Sequence, residues 1–229
     1  YGVASRRKAE QMIIDRRVRV NGNTARLGEQ ADGEEDVIEL DGVRVRTRQE
    51  PEKIYRMLCK PRGFVTTMHD EKGRRSVAEL VADLPERVYP VGRLDCNSEG
   101  LLLLTNDGAL AHDLLSPKKH VDKTYLVKPE KPLSAEDIHR LENGLDIGDE
   151  KPTAPSKARL TENGDLLLTI HEGRFHQVKR MLQAVDNQVL TLERVSFGPL
   201  SLDLSLQRGE YRALTEEEIK VLSGSGKKS

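Results

Sequence analysis

Two hydrophobic rhythms divide this chain. Up to about residue 45 the apolar positions are sparse and come in short bursts. Ala9, Met12 and Ile13 recur at helical spacing, and Val18 and Val20 then alternate with Arg17 and Arg19. Ser5 is placed to cap the helix, which is expected to run to about Asp15. Residues 37–45 repeat the alternation, and Asn21-Gly22 and Asp41-Gly42 predict tight hairpin turns. Residues 46–53 are polar, poor in apolar side chains and contain Pro51, as a linker would.

From Ile54 onward the apolar runs lengthen. Residues 54–58 predict a strand that ends at Lys60-Pro61-Arg62-Gly63. Val77, Leu80, Val81 and Leu84 mark one face of a helix over 77–84. Leucines 101–104 form a solid apolar run bounded by turn residues, which predicts a buried strand. A helix over 109–115, a strand over 123–127 and a Ser134-capped helix closed by Asn143-Gly144 follow. Segments around 158–160 and 166–170 flank Asn163-Gly164 and predict a hairpin. A helix over 176–184 buries Val178, Met181, Leu182 and Val185. A strand over 189–195 and a Thr215-capped helix over 216–222 complete the pattern. Helices and strands mix without regular alternation, so the expected class is α+β. The expected divisions are a small domain over 1–48, a linker over 49–53, a larger mixed-sheet domain over 54–224 and a polar tail over 225–229.

Length and composition narrow the picture. The 229 residues leave room for two domains, and no apolar run is long enough to span a bilayer. Cys59 and Cys96 have no metal-type spacing and suit a reducing compartment, and the six histidines are scattered, so no metal site is expected. The chain starts inside an element and without Met, which reads as a truncated start. A net charge of −1 decides nothing, but its distribution does. Arg6, Arg7, Lys8, Arg16, Arg17 and Arg19 face only Glu10 and Asp15 over the first stretch. The acidic residues crowd 29–39 instead. Cations on the first turn of a helix oppose its dipole, so this placement points to a partner such as phosphate. With 3% aromatic residues and no Trp, a single-strand stacking groove is not expected.

Asp95 is the first candidate for chemistry. It lies between Gly92 and Gly100 just ahead of the leucine strand, where a carboxylate's hydration can be controlled at the mouth of a dry core. A turn-capping Asp is the alternative. Glu99 invites a paired-carboxylate reading that depends on spatial separation, and Ser98 with His112 lacks a nucleophile elbow. Tyr125 on a strand is either a core residue or a stacking face. Lys179 follows buried Val178 and can sit at the edge of the core. Arg180 competes with it, and a solvated pair is the alternative.

The block Gly92-Arg93-Leu94-Asp95-Cys96-Asn97-Ser98-Glu99-Gly100, continued through Asn106-Asp107-Gly108, resembles the catalytic motif of RNA pseudouridine synthases of the RsuA/RluB type. Lys60-Pro61-Arg62-Gly63, Lys123-Thr124-Tyr125 and Glu172-Gly173-Arg174-Phe175-His176-Gln177-Val178-Lys179-Arg180-Met181 fit further motifs of that family. Ala4-Ser5-Arg6-Arg7-Lys8-Ala9-Glu10 through Asn21-Gly22 looks like an S4 RNA-binding domain that lacks most of its first helix. The resemblance implies a uridine-to-pseudouridine isomerase. Asp95 would be its nucleophile, Tyr125 would pack on the target base and join in proton transfer, and Lys179 would be salt-bridged to Asp95. It implies RNA contacts from Arg6, Arg7, Lys8, Arg17, Arg19, Arg93, Lys118, Lys119, Arg174, His176 and Arg180. No cofactor or metal is implied, because the product is an isomer of the substrate. The implied partner is ribosomal RNA or a pre-ribosomal particle, met by a monomer in the cytoplasm, with no membrane. Residues 115–117 and 120–125 look most like enzymes of small-subunit (16S) rRNA. The rival readings are a large-subunit (23S) rRNA synthase, a non-catalytic rRNA-binding assembly factor and an RNA-glycosidic hydrolase.

Overall fold

The computed structural model of the protein describes residues 3–4, 6–32, 35–45 and 52–224. The expected Ser5 cap, the side chain of Arg6, most of the expected linker and the tail over 225–229 lie outside the described residues. The chain forms two compact units, Tyr1–Glu52 and Lys53–Ser229.

The first unit carries helix α1 (Arg6–Ile14) and strands β1 (Val18–Val20), β2 (Asn23–Thr24), β3 (Ile38–Leu40) and β4 (Val43–Arg44). The strands form an antiparallel sheet in the order β2-β1-β3-β4. Asn21 and Gly22, like Asp41 and Gly42, both have positive φ, the backbone that a two-residue hairpin turn matched to strand twist requires.

The second unit is built on one large sheet. Its elements in chain order begin with β5 (Tyr55–Lys60), β6 (Tyr89–Pro90), β7 (Glu99–Thr105), α2 (Gly108–Leu115), β8 (Lys123–Pro129) and α3 (Ala135–Asn143). They continue with β9 (Lys157–Leu160), β10 (Leu166–Ile170), α4 (Gln177–Gln183), β11 (Val189–Phe197), β12 (Leu200–Ser201), β13 (Tyr211–Ala213) and α5 (Glu216–Leu222). The strand order is β13-β5-β7-β11-β8-β10-β9, with β6 on β7 and β12 on β11. Among these strands only β7 and β11 pair in parallel, so the sheet is mixed and the unit is α+β. Ser134 and Thr215 cap α3 and α5 through reciprocal bonds with Asp137 and Glu218.

The leucine run explains why the sheet is buried. Leu102 and Leu104 join one core with Leu58, Val127, Leu166 and Leu168, while Leu101 and Leu103 join a second with Met57, Cys59 and Phe197. Both faces of β7 are covered, so its sequence shows no polar alternation. Each leucine so buried contributes roughly 1.5–3 kcal/mol of transfer free energy.

The expected helix over 77–84 is only a 3₁₀ turn at Glu79–Val81. Its start is drawn into a bridge between Val65 and Ser76, and the Val77 amide donates to the Val65 carbonyl at 3.1 Å. Val77 and Val81 are buried from that anchored loop without a helix. β6, β12 and β13 have two or three residues each, too few to show a period, and β11 runs on to Phe197 beyond the expected end at 195.

Candidate active site

The Asp95 loop runs from Gly92 into β7 and is tied to the end of β5. The Lys60 side chain is fully buried, and its ammonium donates to the carbonyls of Pro61 at 3.0 Å, Asp95 at 3.1 Å and Ser98 at 2.8 Å. Three donors thus meet three acceptors. Burial pushes the Lys60 pKa down to about 8, against the opposing pull of Cys96, Asp95 and Glu99. The Gly63 amide donates to the Cys96 carbonyl at 2.8 Å, and the Thr66 hydroxyl donates to the Leu94 carbonyl at 2.6 Å. The backbone on both sides of Asp95 is therefore held.

Gly100, at φ +99°, is where this loop enters the sheet. A Cβ there would strike the Arg194 carbonyl oxygen and lie 2.8 Å from its amide nitrogen, so β7 and β11 approach too closely for any other residue.

Opposite Asp95 stands the start of α4. Lys179 Nζ lies 2.9 Å from Asp95 Oδ2, and His176 Nε2 lies 3.6 Å from Oδ1. The Asp95 and Lys179 side chains are each about a quarter exposed, so the pair sits at a rim. His176 holds a left-handed backbone at φ 50° as the helix begins, and its ring stacks on exposed Phe175 with centroids 3.8 Å apart. Asp95, Lys179, His176 and Tyr125 line one cavity of about 760 Å³, within the range of small-molecule sites. Tyr125, on β8, is only 8% exposed and packs into the first core.

The remaining expected residues divide into two groups. Arg7, Lys8, Arg19, Arg93, Lys118 and Lys119 are exposed. Arg93 also borders the Asp95 cavity, and Lys119 pairs with Asp113 at 3.3 Å. The other group is engaged within the protein. Arg17 makes a two-pronged contact with Asp41 at 2.9 and 2.6 Å. Arg174 donates to Glu172, Asp149 and the carbonyls of Lys151 and Pro152. Arg180 donates to Asp149 and to the carbonyls of Phe175 and Ile147. These two arginines hold residues 147–152 against the start of α4 instead of facing solvent. Glu99 is taken by Arg208 at 3.3 Å, which separates it from Asp95 as a chemical partner.

Three buried polar residues of this region are Lys60, Ser98, which the sequence offers only in a hydrolase pair that lacks its elbow, and Arg194. Lys60 was visible only as part of a turn motif. Ser98 and Arg194, 1% and 2% exposed, border the same cavity as Asp95. The one available signal for Arg194 was a lone cation between apolar Leu192 and Phe197. Among the described residues, no group of three His, Cys, Asp or Glu side chains is placed to hold a metal ion, and no helix is long and apolar enough to cross a membrane.

Comparison with known proteins adds independent findings. The signature described as RNA pseudouridylate synthase matches residues 54–184, and that of the S4 domain matches residues 1–38. The chain is 43% identical over 228 residues to the ribosomal large subunit pseudouridine synthase B of Bacillus subtilis, covering 96% of this chain and 91% of that protein. It is 38% identical over 219 residues to the ribosomal small subunit pseudouridine synthase A of Vibrio vulnificus, covering 94% and 93%. A crystal structure of a pseudouridylate synthase superposes with a TM-score of 0.71 at 36% identity, over 95% of this chain and 94% of that one. With an α+β unit whose mixed sheet receives the Asp95 loop at β7, and an S4 domain matched over the first residues, the chain belongs to the RNA pseudouridylate synthase family.

Proposed function

We propose that this protein isomerises uridine to pseudouridine in ribosomal RNA, with Asp95 as the nucleophile. The observation that carries the reading is the 2.9 Å pair between Asp95 and Lys179 at the rim of the cavity that Tyr125 lines. A uridine reaches buried Tyr125 in this cavity only when flipped out of its stack. The Tyr125 ring then supports the base, and Lys179 offsets the Asp95 charge as the nucleoside displaces water. The C1′–N1 bond breaks, the base turns, and C5 bonds to C1′. C5 loses a proton and N1 gains one, so no co-reactant is consumed. The exposed cations Arg7, Lys8 and Arg19 of the S4 unit, with Arg93 and Lys118 of the larger unit, meet RNA phosphates. The substrate is rRNA alone or a pre-ribosomal particle, bound by a monomer in the cytoplasm.

Two readings of the subunit have support. Residues 115–117 and 120–125 favour small-subunit rRNA. The higher identity to the Bacillus subtilis large-subunit enzyme, 43% against 38% for the Vibrio vulnificus small-subunit enzyme, favours large-subunit rRNA. Pseudouridine mapping of both rRNAs decides, in a deletion strain carrying wild type or Asp95→Asn. The activity predicts one site restored by wild type and not by the variant, and the rRNA that carries it names the subunit. Sites unchanged by the deletion would refute the activity and leave an assembly factor. Release of free uracil would indicate a hydrolase.

A further inference from the structure

The floor of the Asp95 cavity holds polar atoms that the fold leaves without partners. Arg194 on β11 is 2% exposed, and its Nε donates to the Leu101 carbonyl at 2.8 Å. Its Nη2 has no hydrogen-bond partner among the described residues, and neither has the hydroxyl of Ser98, which is 1% exposed. Both residues border the cavity lined by Asp95 and Tyr125. Burying a guanidinium with part of its donor set unmet is costly, and a methionine would fill the same space without that cost. A fold that keeps such a group at a reactive site keeps it for something that arrives there.

Register shows what that is. Arg194 pairs directly with Tyr125 across β11 and β8, a spacing of about 5 Å between their Cβ atoms. A base held against the Tyr125 ring therefore brings its edge to the guanidinium. A phosphate is a poor fit, because it remains on the solvated backbone while only the base descends to a floor this deep. The floor is also cationic. Lys123 Nζ and Arg194 Cζ lie 5.8 and 5.2 Å from the Phe197 ring centroid. Burial, and then the Arg194 charge, holds the Lys123 pKa below its usual range.

We propose that Arg194 is a catalytic residue of this site, whose guanidinium binds a carbonyl oxygen of the flipped uracil and stabilises the negative charge the base acquires when the glycosidic bond breaks. The role rests on the isomerase reading above. When C1′–N1 breaks, the bonding pair leaves with the uracil and is shared among N1, O2 and O4. The same pair returns through C5 to form the new bond to C1′, and the proton lost from C5 is balanced by the one N1 gains. A fixed cation at O2 or O4 interacts more strongly with that anion than with neutral uracil, so it lowers the barrier more than it tightens binding.

The test uses the full chain, its mapped rRNA target and the variants Arg194→Met and Arg194→Lys. Single-turnover rates are measured with uridine or 5-fluorouridine at the target position and read as loss of the starting nucleoside by liquid chromatography of nuclease digests, which separates the isomers. Fluorine stabilises the departing uracil anion, so it relieves a missing cation but not a distorted fold. Arg194→Met is expected to slow uridine conversion by about 100-fold or more with KM changed less than about threefold. Its loss on 5-fluorouridine is expected to be at least about tenfold smaller. If Arg194→Met does not fold, the same substrate comparison is read from Arg194→Lys. Equal losses on the two substrates, or a loss under about threefold, overturn the role of Arg194 while the activity stands. A wild type that converts no rRNA uridine overturns both.

Discussion

Replacing Lys60 by methionine tests whether the Asp95 loop is held by a buried ammonium. The substitution keeps the volume of the chain and deletes the donor shared by the carbonyls of Pro61, Asp95 and Ser98. Each carbonyl left without a partner costs about 1–3 kcal/mol. Against this stands the cost of burying the charge. A pKa moved from 10.5 to about 8 places that on the order of 3 kcal/mol at neutral pH. The net loss is then about 3 kcal/mol, and for a unit of this size it lowers Tm by about 6–12 °C.

The pH dependence has a definite sign. The folded pKa of Lys60 lies below its unfolded value, so the unfolded chain holds more protons between about pH 8 and 10.5. The stability linked to Lys60 is complete above the upper bound and lost as pH falls through the lower one. The gap in Tm between wild type and Lys60→Met should therefore widen from pH 7 to pH 9.5, by an amount equivalent to about 2 kcal/mol. Thermal unfolding of both proteins followed by circular dichroism at the two pH values measures it. A gap that is absent at pH 7, or that shrinks at pH 9.5, would refute the idea that this ammonium is buried and holds the loop.

Three further perturbations probe the same site. Gly100→Ala puts a Cβ into the Arg194 backbone at a φ of +99°, so a loss above about 3 kcal/mol is expected by calorimetry, and a wild-type Tm would contradict the close approach of β7 and β11. Lys179→Met removes the cation 2.9 Å from Asp95 and should lower kcat by about 100-fold in a tritium-release assay on [5-³H]uridine RNA, with Lys179→Arg recovering part of it; a change under threefold would exclude the pair from the chemistry. Arg180→Gln cuts the ties to Asp149, Ile147 and Phe175, and is expected to lower Tm by several degrees while RNA affinity shifts less than about twofold. A reduced salt dependence of RNA binding would instead return Arg180 to the phosphate-binding set.

What the sequence disclosed and what it hid follow from the range of the interactions involved. The Asp95 loop and the leucine strand were legible because their signals are local, glycines around one carboxylate and then four apolar residues that both faces of β7 bury. Local charge was a poorer guide. Lys179 and Arg180 are adjacent cations, yet one turns to Asp95 and the other, about 100° further round the helix, to Asp149. Nothing in the string Lys-Arg distinguishes them, because their acceptors lie 84 and 31 residues away. The same blindness hid the carboxylate partners of Arg17 and Arg174, which the sequence offers only as RNA contacts.

The pairing of strands hides most. Lys60 pairs with Gly100, Gly100 with Arg194 and Arg194 with Tyr125, one row across β5, β7, β11 and β8. Two buried cations and a tyrosine thereby meet under a carboxylate from residues that span 60 to 194 of the chain. A periodicity sees Lys60 as the end of a strand and Arg194 as an interruption of one, and both descriptions are locally correct. Their chemistry depends on β7 running parallel to β11 between two antiparallel neighbours, and in this row the two strands come so close that Gly100 has no room for a side chain. The residue with the least chemistry of its own thus decides whether Lys60 can reach the carbonyl of Asp95 and whether Arg194 can lie beside Tyr125.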